Sequence, residues 1–469
     1  MIRKLFFSFV GIVSFVSTSN AQFEICNTSE TIPELKLSLC AVVKTPLFHE
    51  PGKEETIDLF IRKFPAKEKR EGSIWLIAGG PGESGASFYP LITKFKEIFP
   101  HLDIIVPDHR GTGASSKICP EQESLESANG IALANDEWGP CFGQMFGNIP
   151  YTQAFSITNA AKDLGILINN LSGEGKRYIY GVSYGTQLVL RLMQQNMVKV
   201  DGVLLDSLVP LQDDGDFDLS KRSQVTDKVG RMVLNSFDTI NPKGVNLASR
   251  LEKLIERSQS DKKFAEQILG QNLSSILGMM LDIPDARNRL PSIIEGLEKN
   301  DFKVLNDVVQ DITNFYKDYG SKYDTSPSSI PLVQIITASE NNLRPGMKKV
   351  DVVEEAKGLL FTSPLPNLIA ENKMPTYQRD QYFATIPQKM PPTLIFQGTL
   401  DPKTDYDGAV RHVKKLSKVG EVILVSVTDA PHFVALFAQN SFAKIAAEFI
   451  EGKSITQTIV NDEYVALKK

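Results

Sequence analysis

The sequence predicts an α/β fold: a doubly wound, mostly parallel sheet interrupted by an inserted, mainly helical cap. Three observations lead there. Apolar runs at 73–78, 103–107, 178–180 and 202–206 alternate with stretches of helical spacing such as 157–171, the rhythm of strands joined by helical crossovers. At 177–186 one of these runs feeds Gly181-Val-Ser183-Tyr-Gly185 and then an apolar helical stretch, the strand-turn-helix context of a nucleophile elbow. After Asp206 the rhythm stops, and the next clear strand begins only at Thr393, far beyond the length of one crossover.

The chain opens on Arg3 and Lys4, an apolar run from Leu5 to Val16, and small polar residues up to Ala21. That layout predicts a cleavable secretory signal over 1–21 with Gln22 as the first mature residue; a retained N-terminal anchor is the alternative. The apolar run is short for a bilayer and nothing later reaches spanning length, so stable membrane insertion is not expected. The protein is expected to be secreted or periplasmic. Export gives the four cysteines a meaning. Cys26, Cys40, Cys119 and Cys141 lie in no C-x-x-C pattern, and two disulfides are the simplest outcome in an oxidising compartment. Three pairings are allowed; the local ones, Cys26–Cys40 and Cys119–Cys141, are expected. A net charge of −5 without any basic block argues against nucleic acid as a partner.

The core is expected over 22–210 and 386–469, with strands at 39–44, 56–64, 73–78, 103–107, 178–180 and 202–206, then 393–397 and 421–427. The third strand ends in Gly79-Gly80-Pro81-Gly82, where a lack of side chains lets main-chain N–H groups face outwards. The fourth runs into Asp108-His-Arg110-Gly-Thr-Gly113, where Arg110 is read as a brace for the loop. Helix-like segments at 225–237, 247–258, 264–269, 293–299 and 302–316 fill the cap, read as 211–385. Asp213, Asp214, Asp216 and Asp218 open it as a solvated acidic edge, with a cation-binding lip as the second reading. Helices at 408–416 and 441–450 follow.

At the elbow the flanking glycines relieve a turn too tight for Cβ atoms and hold the Ser183 hydroxyl clear of the sheet. A serine nucleophile needs a base, and the base an orienting carboxylate. In this chain order, acid and histidine follow the serine. Of five histidines, His49, His101 and His109 precede the elbow, and His412 lies in a helix beside lysines and reads as solvated. His432 alone follows a late strand. Asp401, in the turn after the strand at 393–397, is the first choice of acid and Asp405 the second; Asp429 is too close to His432 in sequence. An oxyanion hole would use the N–H of Tyr184, directly after the nucleophile, and that of Gly80. No metal-ligand cluster is visible, so neither a metal nor another cofactor is called for.

Ala78-Gly-Gly-Pro-Gly82, Asp108-His-Arg-Gly-Thr-Gly113, Gly181-Val-Ser-Tyr-Gly-Thr186 and Leu205-Asp206 together resemble the α/β-hydrolase prolyl iminopeptidase family, and within it the secreted tripeptidyl aminopeptidase branch. The resemblance implies the α/β-hydrolase fold and release of residues or short peptides from substrates with a free N-terminus, through an acyl-enzyme on Ser183. It also implies a cap carboxylate that holds the substrate ammonium. Residues 335–340 look like the family's cap strand, with Ala338 where a cysteine is usual and Glu340 as the amine anchor. Ala78 and Pro431 depart from the family's usual His and Gly without removing a catalytic group. A carboxylesterase with the same three residues is the rival of the same fold; a non-catalytic binding protein is the rival of another class.

Overall fold

The computed structural model describes residues 22–468 apart from 27–31, 125, 128–132, 134, 241–245, 269–271, 321–322, 324 and 326–327. The expected leader over 1–21 lies outside the described residues. Ten strands form one sheet: β1 (Glu24–Ile25), β2 (Leu39–Pro46), β3 (Thr56–Phe64), β4 (Gly72–Ile77), β5 (Leu102–Pro107), β6 (Lys176–Val182), β7 (Gly202–Asp206), β8 (Thr393–Gly398), β9 (Val422–Thr428) and β10 (Ile459–Asn461). Their order is β1-β2-β3-β5-β4-β6-β7-β8-β9-β10. The ladders β1–β2, β2–β3 and β3–β5 are antiparallel, and the rest are parallel. The eight strands read from sequence are all present. The short edge strands β1 and β10 are additions, carried by two and three residues, too few to show a period.

The central strands are mainly apolar because both their faces are covered. Along β4, Ile74 and Leu76 face a layer containing Phe95 and Phe442, while Trp75 and Ile77 face one containing Leu164 and Leu188. All four strand residues are essentially inaccessible, each contributing roughly 1.5–3 kcal/mol of transfer free energy. The chain passes from β4 to β5 on one side and returns to β6 on the other. The loops after β4 and β6 therefore open side by side at a topological switch point, the place where open α/β sheets bind ligands.

Between β7 and β8 the elements from Leu219–Lys221 to Leu365–Ile369 are helical. They enclose a core of their own, with Val233, Leu251, Leu277, Leu290 and Val308 among its buried members. This helical insert also touches the loop after β4: Ser329 donates its N–H to the Gly82 carbonyl at 2.9 Å, and Glu83 and Ser328 form an isolated β-bridge. Disulfides join Cys26 to Cys40 and Cys119 to Cys141. Among the described residues no helix is long and apolar enough to cross a membrane.

Arg110 braces the loop after β5 as its position suggests. Its fully buried guanidinium pairs with Asp163 at 2.7 and 2.8 Å and donates to the carbonyls of Pro46, Leu47 and Ala154. Burial alone would raise the Asp163 carboxyl, but Arg110 and His49 hold it below the ordinary carboxylate value. Its folded pKa is thus depressed, so its stabilisation is complete above the unfolded range, about pH 4, and is lost as pH falls further. Asp163→Asn leaves a buried cation uncompensated; denaturant unfolding should show a loss of about 3–5 kcal/mol at neutral pH that shrinks towards pH 3.

Candidate active site

The Gly181–Gly185 turn forms where β6 meets the helix Tyr184–Gln195. A Cβ on Gly185 would lie 2.3 Å from the Ile77 carbonyl oxygen, and one on Gly181 would lie 2.7 Å from the Gly185 carbonyl oxygen. Only glycine fits at either position. Between them Ser183 is held at φ 55° and ψ −126°, a sparsely populated conformation costing roughly 1–3 kcal/mol. Three bonds fix it: Ser183 donates its N–H to the Asp206 carbonyl at 2.9 Å, and its own carbonyl accepts from the Thr186 N–H and hydroxyl at 2.8 and 2.7 Å. The serine thus stands at the N-terminus of a 12-residue helix, where the dipole favours negative charge.

Asp401 sits in the turn after β8 and is fully buried. It accepts the N–H groups of Lys403 and Thr404 at 2.8 Å each, the Thr404 hydroxyl at 2.6 Å and the Gln397 amide at 3.2 Å. His432, in the loop after β9, brings Nδ1 to 2.9 Å from Asp401 Oδ2. Burial pushes the Asp401 carboxyl up, yet His432 and the Thr404 donors bring it below its ordinary value. The carboxylate is therefore ionised and fixes Nδ1, leaving the other ring nitrogen free for proton transfer. Ser183 and His432 line one cavity of about 620 Å³, without a direct hydrogen bond between them; such bonds commonly tighten only once substrate is bound. Asp405, the second choice of acid, is engaged by Lys228 at 2.9 and 3.0 Å.

Gly80 has φ 104°, and a Cβ there would meet the Gly82 and Glu83 nitrogens at 2.7 and 2.8 Å. Asp108 ties this loop down, accepting from the Ser84 hydroxyl, the Gly85 N–H and the Ala114 N–H at 2.9, 2.7 and 2.8 Å. Among the described residues, neither the Gly80 nor the Tyr184 N–H has an acceptor, and both residues lie with Ser183 around a smaller recess of about 110 Å³.

Glu340 is not at the cavity. Residues 330–340 form a helix rather than a strand, and the buried Glu340 carboxylate pairs with Arg191 of the elbow helix at 3.1 Å and accepts the Gln212 amide. It is a structural ion pair, and the expectation of an open amine anchor there is corrected. His412 also differs from expectation: it is buried, with Nδ1 2.9 Å from the Val209 carbonyl oxygen, and burial lowers its pKa to about 4. Of the acidic edge, Asp214 and Asp216 meet Arg411, and Asp218 is buried, accepting from Ser220 and the Leu343 N–H.

Three residues escaped the sequence reading. Glu83 follows the glycine run directly and lines the cavity with its carboxylate unpaired among the described residues; burial raises its pKa, and Lys403 and His432 oppose the rise. Its signal was an acid on the same loop as the Gly80 N–H. Arg222 lines the cavity from the insert. Asp206, recognised only as part of a pattern, accepts the Val434 and Ala435 N–H groups at 2.9 and 2.8 Å, the Tyr180 hydroxyl at 2.8 Å and the Ser207 hydroxyl at 3.0 Å. Burial pushes its carboxyl up and those donors pull it down.

Residues 73–275 match the model of a family described as alpha/beta hydrolase fold. The chain is 26% identical over 205 residues to the serine protease Hip1 of Mycobacterium tuberculosis, a stretch covering 39% of this chain and 38% of that protein. It is 27% identical over 235 residues to the putative hydrolase YuaR of Escherichia coli, covering 45% of each. The matched stretch is thus less than half the length of either relative. Among solved structures, MGS-M2, an alpha/beta hydrolase from a Medee basin deep-sea metagenome library, aligns over 87% of this chain and 98% of its own at 12% identity and a TM-score of 0.37.

Asp206→Ala orphans four donors at once, two of them backbone groups at the start of the segment that follows His432. Each buried orphan costs about 1–3 kcal/mol, so denaturant unfolding should show a loss of several kcal/mol. Tyr180→Phe, which removes a single donor, should cost about 1 kcal/mol. Equal small losses for both would show that Asp206 carries no such load.

Proposed function

We propose that this chain, an α/β hydrolase by fold and by the family match over residues 73–275, is an exported serine hydrolase that releases N-terminal residues or short peptides. Ser183 is the nucleophile, His432 its general base and Asp401 the group that orients the imidazole. The Gly80 and Tyr184 N–H groups receive the oxyanion. Attack of Ser183 Oγ on the scissile carbonyl transfers its proton to His432, whose positive charge the ionised Asp401 stabilises. His432 then protonates the leaving amine, and the acyl-enzyme is hydrolysed by water activated on the same imidazole. Export is supported by the two disulfides and by the composition of residues 1–21.

The aminopeptidase reading is carried by Glu83: an unpaired carboxylate, half-buried on the wall shared with Ser183 and His432, where a desolvated ammonium finds its counter-charge. Glu83 takes the part first given to Glu340. The helical insert lines the cavity with Met279, Asp282 and Phe315, a wall that on this reading favours chain ends over internal bonds. The second reading, a carboxylesterase, draws on the apolar stretch formed by Met279, Phe315, Phe433, Leu436 and Phe437.

A peptidyl anilide with a free amine and its N-acetylated twin separate the two. The free amine should be cleaved at least tenfold better in kcat/KM, the worth of one charge-assisted bond, and Glu83→Gln should shrink that ratio towards one. Acidification should shrink it too: Glu83 has a raised pKa, so it loses its charge as pH falls through a range above that of an ordinary carboxylate. Ser183→Ala should abolish turnover and fluorophosphonate labelling. Equal cleavage of both twins by the native enzyme leaves the esterase; absence of labelling removes the hydrolase.

A further inference from the structure

Arg222 opens the helix Arg222–Ile240 and is a basic residue of the site with no direct ion pair among the described residues. It lines the 620 Å³ cavity and the 110 Å³ recess alike, and the two meet at Gly80, Ser183, Arg222, Leu365 and Lys403. Its guanidinium makes no hydrogen bond or ion pair among the described residues. The carboxylates around it are bonded to other groups: Asp282 through Oδ2 to Lys403 at 2.8 Å, Asp401 to His432 and Thr404, and Asp218 to Ser220 and the Leu343 N–H. Lys403, its basic neighbour, is charged but paired with Asp282, while the Arg222 guanidinium, always protonated, has no such pair among the described residues. Glu83, the other unpaired charge of the cavity, is not bonded to it. A guanidinium offers a planar fork of donors matched to a carboxylate, and a desolvated, unpaired charge costs free energy until a ligand compensates it.

We propose that Arg222 docks a carboxylate of the substrate beside the scissile bond, so that the preferred substrates are short peptides carrying an ammonium for Glu83 and a carboxylate for Arg222. The proposal rests on the peptidase reading above and adds the chemical class of its substrate. Two sources present such a carboxylate: an acidic side chain next to the cleaved bond, or the C-terminus of a short leaving fragment.

Two substrate pairs distinguish the sources: peptidyl anilides with Glu or Gln before the cleaved bond, and tripeptides with a free or amidated C-terminus. In one pair the native enzyme should favour the carboxylate member by about 10–100-fold in kcat/KM, the worth of a hydrogen bond to a charged group, expressed mainly in KM. Arg222→Met should bring that ratio close to one and Arg222→Lys restore part of it. A native ratio near one in both pairs overturns the proposal, as does a ratio that Arg222→Met leaves intact. Calorimetric binding of the same tripeptides to the Ser183→Ala protein reads the preference without turnover. Equal affinity for acid and amide there and a native ratio near one in the Glu/Gln anilide pair, together with normal labelling of native Ser183, remove this inference alone; failure of labelling removes the hydrolase reading instead.

Discussion

The geometry of the site hangs on one buried carboxylate. Asp206 ends β7, and its main-chain carbonyl accepts the Ser183 N–H while its side chain accepts two N–H groups just past His432. A residue of one strand thereby fixes the spacing between two loops far apart in sequence. Ser207 extends the link by accepting the Phe433 N–H at 2.8 Å. Each bond is ordinary, but the group is desolvated and its donors have no water to fall back on, so the arrangement is all-or-none. The strained serine backbone persists for the same reason: the surroundings over-determine it.

Much of this was legible in the sequence, and the reason is geometric. Strands buried on both faces carry continuous apolar runs, so β4 to β8 announce themselves, whereas β1 and β10 are too short to carry a pattern. The serine turn is legible because its neighbours must be glycine. His432 was found by chain order, not by any property of the residue itself. Burial is less legible in sequence. His412 lies beside lysines and reads as solvated, yet its ring turns inwards to the Val209 carbonyl. Glu340 reads as an open anchor because its partner, Arg191, is remote in sequence, and a pairing across the fold leaves no local trace. Asp206 was visible as a letter in a pattern while its work, bonds to residues more than two hundred positions later, was not.

The same blindness to pairing explains why charges in the cavity cannot be ranked from sequence. Lys403, Asp282, Arg222 and Glu83 look equivalent as exposed-type residues, but the fold closes the first two on each other at 2.8 Å and leaves the other two without partners among the described residues. Paired charges shape the wall; unpaired ones select what enters, because a ligand that compensates them recovers part of their desolvation cost.

That division also assigns a double part to the helical insert. It supplies Arg222 and Asp282 to the cavity, and through the Ser329 N–H and the bridge at Ser328 it holds the backbone of Gly82 and Glu83. The loop so held carries both the Glu83 carboxylate and the Gly80 N–H. On the proposed reading, a peptide held at Arg222 would bear on the insert that is bonded to the loop carrying Gly80. The recognising charges and the proposed oxyanion donor are thus held in one register by main-chain hydrogen bonds, which a change of side chain elsewhere in the insert leaves standing.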